Sequence, residues 1–436
     1  MLVAVVAWLA VGVLALASGP PLGHDEAAYA VAARGDAPAW HYRSTGMIAI
    51  ARAGLALGGS ECVLRALALA LSVGVLIAAY ALGRAAFSSR TGAWAAAVLA
   101  TAHPMAARSA ELIGDLPATA CLLAGVAVLI GELERERIRW RLMWAAPLFA
   151  AAFYVRYGSA PVIALVAVLA LVLYAERLAC APVAATVALT TLLVVPHFAW
   201  SLHTTGSLFG ILAASASMPR RAYLGEGLVS YLTANPFWFY GALVAPVMVA
   251  GLAALRSRRR AGWFVVALAL GQIVMLGLES HAQPRYVFFA TALLVIAGVD
   301  VLREIALPRL AVATIALAWL GIAILIVPYD ARLARQRHVL YAAAEAIRKD
   351  AAGQPCAIAA NVAPQLIWAT RCDVVIAKSA PKLYAPWPDD ATKKYVVSIA
   401  HAVIAPALLE AVAATAHGAP HELVVASPDA HVWRLD

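Results

Sequence analysis

Asp25, Glu26 and Asp115 carry carboxylates, Arg156 and Arg285 carry guanidinium groups, and each lies at one end of an apolar run. A carboxylate placed there can take the proton of an attacking hydroxyl. Two of them, joined by a histidine such as His103, can hold a divalent cation. The planar fork of an arginine matches a phosphate. Each position also has a plainer explanation. Asp is a favoured helix N-cap and Glu suits a first turn, which would account for Asp25-Glu26. Asp115 precedes Leu116-Pro117, a helix start. An arginine at the end of a span can simply reach the lipid headgroups. Local pattern alone leaves both kinds of explanation open.

The elements that position these residues belong to a membrane protein. The chain of 436 residues is 64% hydrophobic and only 13% charged, with a mean hydropathy of +0.82. A soluble domain is nearer about 45–50% apolar and about 25% charged, so lipid must be the solvent for most of the chain. Apolar runs fall at roughly 2–18, 63–83, 92–107, 116–131, 142–155, 158–174, 181–200, 236–255, 262–278, 286–301 and 310–327. They predict about eleven spans. The fifth and sixth are parted only by Arg156-Tyr157-Gly158, which reads as a tight hairpin or a broken helix.

The formal net charge of +9 is not read as a nucleic-acid signal. Its arginines cluster in alternate short loops, around 84–90, 135–141, 256–260 and 303–309. That asymmetry makes those loops cytoplasmic. The N-terminus is then cytoplasmic and the C-terminus extracytoplasmic. Arg108, Arg156, Arg220, Arg221 and Arg285 fall on the opposite side, where the rule disfavours them. A charge beside a span in that position is a functional hypothesis by default.

Three external segments follow from this topology: 19–61, 108–115 and 201–235. In the first, Asp25–Arg34 and Met47–Leu57 read as two helices too polar to span, expected in the membrane interface. From about residue 330 the pattern changes to a charged helix (Arg332–Lys349) and βα units. Strands are expected at Cys356–Ala360, Val374–Ala377 and Tyr395–Ile399, helices at Pro364–Thr370 and Ala405–Ala414, and a closing hairpin at Leu423–Ala426 and His431–Leu435. The expected architecture is an all-α polytopic membrane domain over 1–329 and a small external α/β domain over 330–436. If that tail faces an oxidising compartment, Cys356 and Cys372 can bridge. Neither part shows a Gly-rich phosphate loop.

The order of these elements resembles the GT-C superfamily of polyprenyl-phosphate-sugar-dependent glycosyltransferases, in the branch of the protein O-mannosyltransferases and the lipid A aminoarabinose transferase. Asp25, Glu26 and Tyr29 match an Asp-Glu-x-x-Tyr element. Gly58–Pro104 matches a Gly-Ser-Glu, an Arg-led span, a turn, a short span and a Pro. Asp115 falls at the second acidic position, Arg156-Tyr157 at a basic position after the fifth span, and Arg285-Tyr286 at an Arg-Tyr before a late span. The likeness covers roughly residues 1–300. It departs in the first loop, where His41-Tyr42-Arg43-Ser44-Thr45-Gly46 stands in place of His-Pro-Pro.

The resemblance implies a mechanism. A sugar arrives on a polyprenyl phosphate at the outer face of the bacterial cytoplasmic membrane. Asp25 acts as general base on an acceptor hydroxyl, aided by Glu26 and Asp115, and the anomeric carbon inverts. Arg156, Arg285 and Tyr286 bind the phosphate, and Tyr29, His41 and Arg43 line the acceptor or sugar pocket. A divalent cation on Asp25, Asp115 and His103 is a further option; no nucleotide cofactor is implied. The acceptor, whether lipid, glycan or protein, stays open, as does the sugar. The rival reading is a transporter or flippase. It would want charge near mid-span and repeated halves, whereas here charge gathers at the outer ends and no repeat is visible.

Overall fold

The computed structural model describes the chain apart from residues 18–20, 37–42, 217–221, 257–258, 304–307, 361, 377–386, 389–390, 400–402, 405–408, 411, 415–418 and 436. Its helices begin with α1 (Leu2–Ala17), α2 (His24–Arg34), α3 (Thr45–Ala56), α4 (Glu61–Ala86), α5 (Ser89–Leu99) and α6 (His103–Ala106). Next come α7 (Asp115–Leu133), α8 (Ala145–Val155), α9 (Ala160–Leu178), α10 (Ala181–Thr205), α11 (Gly210–Ala216) and α12 (Glu226–Thr233). The last are α13 (Pro236–Phe239), α14 (Val244–Gly251), α15 (Arg260–Glu279), α16 (Phe288–Leu302), α17 (Pro308–Ala351) and α18 (Ala363–Thr370). The strands are β1 (Cys356–Ala360), β2 (Asp373–Ile376), β3 (Lys393–Ile399), β4 (Pro420–Leu423) and β5 (Ala430–Leu435).

The chain divides into two compact units, one of residues 1–15, 41–47 and 65–327, the other of 16–40, 48–64 and 328–436. The first is the membrane domain. Among the described residues six helices are long and apolar enough to cross a bilayer, and four more apolar helices are shorter. Several expected spans are broken. The 92–107 run is α5 followed by the short α6, and the 236–255 run is α13, α14 and a 3₁₀ turn. At the other extreme, the 310–327 run and the charged helix after it form one continuous helix, α17.

Inside this unit α16 is buried on every face from Phe288 to Val299, as a helix apolar all round should be. By contrast α9 and α10 leave Val168, Leu171, Val172, Val187 and Leu192 more than half exposed, a face only lipid would cover. The indole of Trp8 on α1 donates to Ser72 Oγ on α4 at 2.8 Å, satisfying two buried polar groups inside the bundle.

The second unit contains a five-stranded sheet of order β2-β1-β3-β5-β4. β1 pairs parallel with β2 and β3, and β5 pairs antiparallel with β3 and β4. One face packs Ile358, Tyr395, Val397 and Val432 against Leu340, Ala343, Ala344 and Ile347 of α17. Asp350, near the end of that helix, accepts from Tyr395 Oη at 2.7 Å and pairs with Arg434 at 3.0 Å. Burial opposes its charge, but the Tyr395 and Arg434 hydrogen bonds and the Lys393 charge outweigh that and hold the carboxyl below its usual range. The expected strands and Pro364–Thr370 helix are present with edges moved by a few residues; the expected helix Ala405–Ala414 lies partly outside the described residues.

Cys356 and Cys372 form a disulfide that joins the start of β1 to the residue before β2, 16 positions apart. Closing a loop of that length removes chain entropy worth about 3 kcal/mol. Replacing both cysteines by serine is expected to lower the stability of this unit by about that much. Thermal unfolding of the full chain, followed by proteolysis of the C-terminal region, would read it. An unchanged midpoint would show that packing alone sets the stability there.

The first-loop helices do not behave alike. α2 is buried from Glu26 through Ala32, all round rather than on one side. Its Val31 packs with Ala363 and Ile367 of α18, and Arg34 donates to the Ile367 and Trp368 carbonyls at 3.0–3.2 Å while lying over the Trp368 ring. It is therefore a core element of the second unit.

Candidate functional site

The site in the membrane unit starts at the end of α8. Arg156 leaves the helix with extended backbone (φ −152°, ψ 109°), and a 3₁₀ turn, Tyr157–Ser159, leads into α9. The Arg156-Tyr157-Gly158 interruption is thus a break that turns the arginine out of a helical row. Against it lies the start of α7. Gly114 caps that helix, and a Cβ there would collide with the Val155 carbonyl oxygen. The close approach brings Asp115, only 7% exposed, onto Arg156, and the two form an ion pair.

Gly114→Ala is expected to push α7 and α8 apart at a cost of about 1–3 kcal/mol. A purified variant should show a lowered melting midpoint. Retention of the parent midpoint would mean that the backbone there yields freely.

Arg285 arrives from the other side, on a 3₁₀ turn, Pro284–Val287, that opens α16. Its Nε donates to Gln283 Oε1 at 2.6 Å, and the Gln283 amide meets His281 Nε2 at 2.7 Å. Gln272 on α15, only 4% exposed, donates to the Tyr286 carbonyl at 3.1 Å and fixes the turn. The guanidinium groups of Arg156 and Arg285 lie 5.1 and 5.5 Å from the Tyr286 ring centroid, each in cation–π range.

These groups line a cleft whose charged residues are Asp115, Arg156 and Arg285. One carboxylate against two guanidinium groups leaves the cleft cationic. Leu122, Val162, Leu276 and Phe289 supply apolar walls. Two like charges facing one ring repel each other, and an anion between them would relieve that. Cationic groups beside apolar walls suit an anion that carries a hydrocarbon chain.

The other expected residues fall as follows. Asp25 stands in the first turn of α2, in the second unit. Glu26 beside it is buried; its carboxylate accepts the Gly23 N–H at 2.7 Å and pairs with Arg337 at 3.2 Å. Tyr29 is buried in the same helix. Arg43 sits at a bend in the membrane unit, and His41 lies outside the described residues. His103 opens α6 and stands edge-on to Trp238 at 6.0 Å.

Of the residues considered for a cation, Asp115 and His103 belong to the first unit and Asp25 to the second. Asp115 is engaged by Arg156, and among the described residues no three His, Cys, Asp or Glu side chains converge. The positively charged side chains that line the cleft are Arg156 and Arg285.

Gln272 was missed at the level of sequence. Its signal was a polar amide in the interior of the 262–278 apolar run, where buried polar groups are expensive unless partnered.

Residues 45–200 match the family model described as dolichyl-phosphate-mannose-protein mannosyltransferase. No curated protein matches the sequence. The fold is similar to ArnT from Cupriavidus metallidurans bound to undecaprenyl phosphate, with a TM-score of 0.75 at 16% identity over 99% of this chain and 97% of that one. It is also similar to the Archaeoglobus fulgidus oligosaccharyltransferase in complex with Zn and sulfate, with a TM-score of 0.60 at 12% identity over 91% of this chain and 68% of that one. A complex of that archaeal enzyme, AglB, with an inhibitory peptide and a dolichol-phosphate gives 0.59 at 11% identity, over 91% and 69% of the two chains.

The chain is thus a multi-pass membrane protein of the GT-C fold with a small C-terminal α/β domain. In the order of the motifs in its first 300 residues it resembles the polyprenyl-phosphate-sugar-dependent transferases.

Proposed function

We propose that the protein is a membrane glycosyltransferase that moves a sugar from a polyprenyl-phosphate carrier to an acceptor hydroxyl. The observation that carries this reading is the cleft. Arg156 and Arg285 flank Tyr286 beside apolar walls, a setting for a phosphate attached to a lipid chain. The fold's likeness to ArnT, whose structure holds undecaprenyl phosphate, supports the same donor class.

In the proposed reaction the acceptor oxygen attacks the anomeric carbon and its proton passes to the Asp25 carboxylate. The bond from the anomeric carbon to the phosphate oxygen breaks with inversion, and polyprenyl phosphate leaves. Arg285 and Arg156 meet the charge that grows on the leaving phosphate, the stage at which preorganised donors are most effective. Asp115 holds Arg156 in place through their ion pair. No step is routed through a cation. Tyr29, His41 and Arg43 are assigned to the acceptor or sugar pocket on the resemblance.

We place the protein in the cytoplasmic membrane of a bacterium with the N-terminus inside and the C-terminal domain outside. The arginine-rich loops support that orientation. The Cys356–Cys372 disulfide supports it independently, because such bonds persist in oxidising compartments.

The test offers the purified protein a panel of polyprenyl-phosphate sugars and follows release of free polyprenyl phosphate. Release with one donor, lost in Asp25→Asn, is the expected result. Silence with every donor and with lipid, glycan and peptide acceptors, together with donor movement across liposomes, would replace this reading with transport.

A further inference from the structure

Arg337 lies in the C-terminal part of α17, far along the chain from every residue assigned above, yet it grips the segment that carries Asp25. Its Nη1 donates to the Pro21 carbonyl at 2.9 Å and to Glu26 Oε2 at 3.2 Å. The same Glu26 oxygen accepts the Gly23 N–H at 2.7 Å. One guanidinium therefore ties together both ends of Pro21–Glu26, and Asp25 is inside that bracket. The Glu26 side chain is 2% exposed and that of Arg337 14%.

Further contacts of the same kind surround the bracket. One turn along α17, Tyr341 Oη donates to Glu61 Oε1 at 2.5 Å, and Trp368 Nε1 on α18 donates to the same oxygen at 2.7 Å. At the far end of α2, Arg34 hydrogen-bonds the last carbonyls of α18. Thus α2 is held at both ends by elements of the C-terminal segment.

A buried ion pair is a weak source of stability, since desolvation offsets much of its Coulomb energy. A well-packed apolar pair would stabilise the fold as well. What the charged pair adds is direction: a fork, a carboxylate and a carbonyl meet in one geometry only. Gly23 belongs to the same device. A Cβ at that position would stand 2.7 Å from Arg337 Nη2 and 3.1 Å from its Cζ, so any side chain there displaces the guanidinium.

We infer that Arg337 is a positioning residue for Asp25, acting through Glu26, and that the C-terminal segment is in this way a working part of the transferase. The inference rests on the reading of Asp25 as the base. It also reassigns Glu26, expected from the sequence to share in catalysis, to the task of holding its neighbour.

The test uses the full chain in lipid nanodiscs and compares kcat with KM for the polyprenyl-phosphate sugar, per folded molecule. Arg337→Met is expected to lower kcat about 10- to 100-fold, the scale on which small misplacements act, with the donor KM within about threefold. Arg337→Lys should recover part of the loss. Because Arg337→Met strands the Glu26 charge and can fail to fold, the pair Glu26→Gln with Arg337→Met is measured beside it. That double variant removes both charges, so it should fold yet keep the low kcat. Gly23→Ala should lower kcat in the same way.

A folded double variant with kcat within twofold of the parent would overturn the inference, as would a loss that appears only in KM or in the amount of folded protein. Asp25→Asn is run alongside. Its full activity would sink the base assignment itself. Its inactivity, next to an active double variant, would sink only the role given to Arg337.

Discussion

Asp25→Asn should lower turnover by about 10²–10⁴-fold, the usual contribution of a positioned general base, and leave folding unchanged. The choice of asparagine is what makes the result informative. Asp25 occupies the first turn of α2, where a carboxylate also favours the helix. Gly23 caps that helix, so the isosteric asparagine should cost a purely structural Asp25 only the helix-dipole contribution of about 0.3–1 kcal/mol. A proton acceptor would lose its function, because the amide cannot take the hydroxyl proton. The measurement is single-turnover release of polyprenyl phosphate from a bound donor, alongside the melting midpoint. Parental turnover in a folded Asp25→Asn protein would remove Asp25 from the chemistry and leave the cleft arginines to be explained by binding alone.

The second large effect concerns those arginines, which should respond differently. Arg285→Gln is expected to weaken binding of polyprenyl phosphate by about 10- to 100-fold, the value of a charge-assisted hydrogen bond of about 1.5–3 kcal/mol. Its hydrogen bond to Gln283 and its contact with the Tyr286 ring involve neutral groups, so losing those two contacts should cost little stability. Arg156→Gln should also damage the fold, because it leaves the Asp115 carboxylate buried without its ion pair. Breaking such a pair costs about 3–5 kcal/mol. Adding Asp115→Asn to Arg156→Gln should restore the midpoint but not the affinity. Titration of each variant with polyprenyl phosphate, next to thermal unfolding, separates the two cases. Unaltered affinity in Arg285→Gln would mean that the cleft is not where the phosphate binds.

The membrane class was readable without coordinates because it depends on composition and run length, and solvent enforces both. The α/β tail was readable for a related reason. Its strands are short apolar runs set off by turn residues, and strand pairing adjusted only their edges. The cleft residues were legible as individuals. A charge beside an apolar run is costly enough to stand out, and Asp115, Arg156 and Arg285 all did. Gln272 did not, since one amide within a run hardly alters its hydropathy. The number of spans was less legible, because α5, α6, α13 and α14 are short pieces whose ends depend on neighbours rather than on their own apolarity.

What the sequence by itself determined, then, is the solvent of each segment and the inventory of groups able to bind phosphate or accept a proton. Both are local properties of the chain, and hydropathy and side-chain chemistry report them directly. Only the tertiary structure decided which groups meet. That Asp115 answers Arg156 depends on a glycine letting one helix end rest on another. That Glu26 answers Arg337 depends on α2 being buried against α17 and α18. Contacts between residues 41 and 311 positions apart are set by the packing of whole helices, and no local pattern encodes them.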